Sequence, residues 1–138
     1  MLAAASVYAI VAYDRADPVV YEQGRVLPDP AHAGQRVVFL WNLDWRRRCQ
    51  ATVLRDIVGA DNVVRRYKSF TTNLPVKLGP QSVENSGALP VSLPPGQAIY
   101  RAVLIFNDCG LTARWWPLQL ATPEIRFAVI ASPSASQR

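Results

Sequence analysis

The chain predicts an all-β fold, an immunoglobulin-like β-sandwich of about seven strands preceded by a short apolar N-terminal segment. Three observations carry that expectation. From Arg36 to Arg48 the second half of an apolar run alternates with period two, as a strand with one buried face does. Two β-branched-rich runs, Ala51 to Val58 and Val63 to Phe70, flank Gly59-Ala60-Asp61-Asn62, which is hairpin turn chemistry. And 11 prolines outnumber 7 glycines in 138 residues, with no stretch of persuasive amphipathic-helix period.

Taken from the N-terminus, residues 1–15 form a segment of their own. Leu2 to Tyr13 is apolar but shorter than the ~20 residues a spanning helix needs, and it has no basic region before it. Two readings stay open: a strand or short helix packed on the domain, or the remnant of a signal-anchor that begins upstream, with Tyr8 and Tyr13 near the interface and Asp14-Arg15 outside. The sandwich is expected over residues 16–131, and the small polar residues 132–138 form a frayed tail.

Within the sandwich, Val19 to Val26 reads as an edge strand followed by the loop PDPAHAG. Val37, Phe39, Trp41, Leu43 and Trp45 then share one parity, with Asn42, Asp44, Arg46 and Arg48 on the other; Val38 and Leu40 suggest a first half covered on both faces. After the hairpin, Pro75, Pro80, Pro90 and Pro94 mark Thr71 to Gly96 as mostly loop, with short edge strands at most near Leu74–Leu78 and Leu89–Leu93. Pro94-Pro95-Gly96 turns into Ile99 to Phe106, a continuous apolar run suited to a central strand. Two short strands come after it, interrupted by Pro117 and Pro123.

A net charge of +5 and a pI near 9.7 favour anionic surroundings. Only Arg46–Arg48 and Arg65-Arg66-Tyr67-Lys68 are clustered, short of the like-charge block of a nucleic-acid arm. Nucleic acid is therefore the least favoured partner; a protein partner or self-assembly is expected, with membrane contact through Leu2 to Tyr13. In the second cluster Arg65 and Tyr67 would share one strand face, as edge-protecting charge does.

Catalytic chemistry has little to draw on. His32 is the single histidine and sits in a loop, no serine lies in a nucleophile-elbow context, and Asp44, Asp56, Asp61 and Asp108 read as strand-end and turn residues. Asp56, Asp61 and Asn62 lack calcium-loop spacing, two cysteines cannot build a zinc site, and glycine-rich phosphate loops are absent. No enzyme activity, metal or cofactor is expected.

The segments AGQRVVFLWNLDWRRRC and LPPGQAIYRAVLIFNDC, separated by a hairpin, resemble the B and F strands of an immunoglobulin-like or fibronectin-type sandwich over residues 18–130. Arg46, Arg48 and Cys49, the Pro94-Pro95-Gly96 turn, and the final WP and TP dipeptides also resemble small bacterial and prophage-encoded proteins, which often carry an N-terminal membrane segment before one such sandwich. If three strands separate B from F, as the resemblance implies, the two run in one direction and deliver Cys49 and Cys109 to the same pole. A disulfide there closes a long loop; two reduced, buried thiols are the alternative.

The same pole gathers the ligand-binding candidates Arg46, Arg47, Arg48, Arg114, Trp115 and Trp116. Guanidinium beside an exposed indole suits anionic or sugar-like ligands. In the simpler reading Trp115 and Trp116 alternate, one filling the core and one covering an edge. The functional expectation is a non-catalytic interaction or structural module, a phage- or prophage-type accessory protein displayed on the extracytoplasmic side of a membrane. The alternatives are a virion component, such as a head decoration or tail accessory protein, and a binder of nucleic acid or anionic glycan through the basic aromatic pole.

Overall fold

The protein is described by a computed structural model over residues 4–6, 9, 16–72, 77–107, 109–111 and 115–131. In chain order the strands are β1 (Val19–Leu27), β2 (Ala31–His32), β3 (Arg36–Trp45), β4 (Thr52–Val58), β5 (Val64–Arg66), β6 (Phe70–Thr71), β7 (Gly79–Ala88), β8 (Gly96–Phe106), β9 (Leu118–Ala121) and β10 (Ile125–Ile130). They form two sheets. One has the order β1-β3-β7; the other runs β2-β10-β8-β4-β5, with β6 also on β4 and β9 also on β8.

Two lanes of the second sheet are interrupted strands. β5 pairs with the far end of β4 and β6 with its start, while β10 and β9 pair with successive halves of β8. Pro123 cannot donate to the ladder, and the Thr122 hydroxyl fills the gap by accepting from the Ala102 amide at 3.1 Å. With each pair counted as one lane, the arrangement is an immunoglobulin-like β-sandwich. The first strand switches sheets: β1 runs antiparallel to β3, the chain turns through cis Leu27-Pro28 and Asp29-Pro30, and β2 joins β10 in parallel.

The two inner faces obey period two. Val37, Phe39, Trp41, Leu43 and Trp45 of β3 are all buried, and so are Ala98, Tyr100, Ala102, Leu104 and Phe106 of β8. Phe39 stacks on Tyr100 across the core, with ring centroids 3.8 Å apart and planes within 9°. Val38 and Leu40 on the opposite face are half-buried, so the first half of β3 is less covered than its composition suggests. Gly24 is the one residue that fits under Trp41, since a Cβ there would stand 2.5 Å from the indole.

The segment from Thr71 to Gly96 departs from the expectation of mostly loop. β7 is a ten-residue strand in full register with β3, from Arg36↔Ala88 to Trp45↔Gly79. Its sequence, GPQSVENSGA, has weak strand propensity, and an existing partner ladder overrides that weakness. Pro80 is tolerated because β7 is an edge strand. Residues 73–76 lie outside the described residues, and with them most of the short strand expected near Leu74. Leu89 and Leu93 are loop residues whose buried side chains plug the far end of the core.

Truncating Phe39 to Ala removes the central stack and is expected to cost about 3–5 kcal/mol in urea unfolding. Val91→Ala, on a side chain 87% exposed, should stay within about 0.5 kcal/mol of the parent.

Candidate functional site

β3 and β8 both end at one pole. There Trp45 meets Phe106 edge to face at 6.2 Å, and the loops after both strands converge. Cys49 and Cys109 are joined in a disulfide, Cα atoms 5.3 Å apart and 60 residues apart in sequence. Both are buried, so the bond lies beneath the surface of the pole.

The chain enters the sandwich at this same pole. Val19 opposes Trp45 in the β1–β3 ladder, so residues 16–18 lie against the arginine loop. The amides of Arg46 and Arg47 donate to the Pro18 carbonyl at 2.7 and 3.1 Å, and the Arg47 guanidinium donates to the Ala16 carbonyl at 3.1 Å. On its other side the loop is tied to the end of β6: Gln50 Nε2 donates to the Thr72 carbonyl, and the Thr72 hydroxyl accepts from the Ala51 amide, each at 2.9 Å. Arg46 also reaches Asp44 at 3.5 Å while its side chain stays 60% exposed, a weak surface pair. Arg48 is exposed.

Trp115 and Trp116 do not alternate in and out. Both are exposed, at 82% and 64%, because they sit in a turn before Pro117, and Leu118 at the start of β9 takes the core position instead. Leu111 is 77% exposed in the same inter-strand connection, and Leu78 and Lys77 are exposed just before β7. Sequence reasoning missed these three as residues of the pole, because a single exposed side chain in a connection leaves no periodic trace. Arg114 and Asp108 lie outside the described residues. Of Leu2 to Tyr13 only Ala4, Ala5, Ser6 and Ala9 are described, in helical backbone and exposed. Among the described residues no helix is long and apolar enough to cross a membrane.

The opposite pole is closed by its own contacts. The Arg65 guanidinium donates to both carboxylate oxygens of Asp61 at 2.9 and 3.1 Å and to the Ser92 hydroxyl and carbonyl at 3.0 Å, tying the hairpin turn to the loop before β8. That bidentate bond holds the Asp61 carboxyl at about 2, below the usual carboxylate range. Arg65 and Tyr67 are half-buried while Arg66 and Lys68 are exposed, so the second basic cluster alternates as expected and half of it is spent on internal contacts. Asp56 pairs with Arg66 and Arg101 at 3.7 and 3.8 Å. His32 lies in β2 rather than in a loop, with Nδ1 3.2 Å from the Ala131 carbonyl. Among the described residues no three His, Cys, Asp or Glu side chains group as a metal site.

A cleft of about 380 Å³ opens between the sheets beside β7, with Tyr21, Trp45, Val53, Phe70, Val83 and Leu104 in its wall. Burial pushes the Tyr21 hydroxyl up, and the Tyr67 hydroxyl, which donates to the Ala88 carbonyl, up to about 12. Deeper in the core the Tyr100 hydroxyl is also raised by burial, with the Arg55 cation pulling the other way; the Arg55 guanidinium stands 5.0 Å over the rings of Tyr67 and Phe70. None of these groups is poised to exchange a proton near neutral pH.

No family model matches the chain, and no curated protein matches it. Among solved structures it is similar to the Pseudomonas fluorescens alkylpurine DNA glycosylase AlkC bound to DNA containing an abasic site analog, at 12% identity and a TM-score of 0.48 over 89% of this chain. It spans 34% of that enzyme's chain. It is also similar to the ASH/PapD-like domain of human CEP192, at 14% identity and a TM-score of 0.46, over 83% of this chain and 87% of that one. Likenesses this loose say nothing about activity.

Replacing Cys49 and Cys109 together by Ala should lower stability by about 4 kcal/mol in denaturant unfolding, the chain-entropy value for so long a loop. Asp61, with its native pKa depressed, favours folding fully above about pH 4 and loses that contribution as pH falls through about 2. Carboxyl NMR titration should show the low midpoint, and Arg65→Ala should move it toward the ordinary value.

Proposed function

We propose that the chain is a non-catalytic immunoglobulin-like interaction module held on the extracytoplasmic side of a membrane by its apolar N-terminal segment, an accessory protein of the kind prophages encode. The observation that carries this reading is the Cys49–Cys109 disulfide at the pole where residues 16–18 enter the sandwich. Disulfides persist chiefly outside the reducing cytosol. An apolar segment leading into a covalently closed pole suits a domain that must stay folded next to a bilayer. The cleft and the exposed loops then serve recognition, since binding residues concentrate on loops held by a rigid scaffold.

A second reading, a virion component, is supported by β7. This edge strand offers ten residues of ladder with Glu84 as its single charge, whereas the three-residue β5 edge carries Arg65 and Arg66. A subunit that packs through strand addition would use such an edge.

Alkylation of thiols in intact host cells, followed by intact mass and membrane fractionation, tests the first reading. The expected result is no labelled cysteine and sedimentation with membranes. Two labelled cysteines in a soluble fraction overturn it, and many copies in purified particles would favour the second reading.

A further inference from the structure

We propose that the disulfide-closed pole is itself a lipid-contacting face, which seats on an anionic bilayer with Trp115, Trp116 and Leu111 at the headgroup level and Arg46, Arg47 and Arg48 against lipid phosphates. This rests on the membrane reading above and adds a second, separable contact to it.

The pole is set apart by the side chains it exposes. Trp115, Trp116 and Leu111 are among the most exposed large apolar side chains described, and Leu78 lies at the same end. The opposite pole exposes aliphatic residues such as Val63 and Val91 and no indole among the described residues. Indole rings concentrate at membrane–water interfaces, where an apolar body and one N–H donor are both accommodated. The arginines supply the matching charge. Arg46, Arg48 and Lys77, with Arg47 bonded to the Ala16 carbonyl beside them, face two described carboxylates, Asp17 and the Arg46-paired Asp44, so the described residues of the pole carry an excess of positive charge. Guanidinium binds phosphate in a bidentate fashion and keeps its charge at any relevant pH.

Chain continuity points the same way. Residues 16–18 are hydrogen-bonded to Arg46 and Arg47, so whatever bilayer receives Leu2 to Tyr13 lies next to this pole and not the other. Stable membrane anchoring commonly takes two signals, such as an apolar insertion together with a basic patch. The arginine and tryptophan face provides the second signal. The disulfide joins the loop carrying the arginines to the connection that continues to the tryptophans.

The test uses the full oxidised chain with phosphatidylcholine vesicles, with and without phosphatidylglycerol, and compares three variants: Arg46→Ala/Arg47→Ala/Arg48→Ala, Trp115→Ala/Trp116→Ala, and Val91→Glu on the opposite pole. Far- and near-ultraviolet circular dichroism checks that each is folded. Each arginine near an anionic surface is worth about fivefold in partitioning, so the triple variant should lose on the order of 100-fold on anionic vesicles. The tryptophan pair should lose the blue shift of emission on binding, and Val91→Glu should bind as the parent does. Unchanged binding of folded arginine and tryptophan variants overturns the proposal and leaves the N-terminal tether standing. A parent that ignores vesicles but binds heparin or single-stranded DNA overturns it in favour of a soluble anionic polymer.

Discussion

The stack of Phe39 on Tyr100 is the contact on which the architecture turns. It joins the middle of β3 to the middle of β8 across the gap between the sheets, and Trp41, Tyr67 and Phe127 close around it with ring centroids 6.4–6.5 Å from one or other member. Aromatic pairs add about 0.5–1.5 kcal/mol beyond the area they bury. They also set position: with the two central strands locked face to face and running in the same sense, everything attached to their C-terminal ends meets at one pole. The cysteine pair, the arginine run and the two exposed tryptophans share an end of the molecule for that reason.

The two ends divide the labour. One pole ties its charges inward, with Arg65 holding Asp61 and Ser92 so that the hairpin turn and the loop before β8 behave as one piece. The other turns charge and indole outward while its backbone is held from several sides by Pro18, Thr72 and the disulfide. An arginine loop already held by its own hydrogen bonds leaves little ordering to be done on binding.

Much of the core was legible. The parity of Val37 to Trp45 set the inner face of β3, the apolar run to Phe106 marked the central strand, and their shared direction put Cys49 and Cys109 at one pole, with the disulfide and two reduced thiols both left open. β7 was not legible: Gln81, Ser82, Asn85 and Ser86 carry no strand signal, and the strand exists because β3 offers it a full ladder. At the candidate site, strand direction was enough to put the arginines and tryptophans at the end that holds the cysteines. The orientation of Trp115 and Trp116 was open, since alternation holds only inside a strand and Pro117 delays the strand to Leu118. Leu111 and Leu78 escaped notice because exposure of a lone leucine in a connection leaves no periodic trace.

If this pole meets lipid, quenching of tryptophan emission reports it directly. Trp41 and Trp45 are buried, so emission that responds to added quencher comes from Trp115 and Trp116. On anionic vesicles a lipid-seated pole predicts quenching by bromine-labelled acyl chains together with protection from aqueous acrylamide. Full quenching by acrylamide on membrane-bound protein, with none from the brominated lipid, would contradict it.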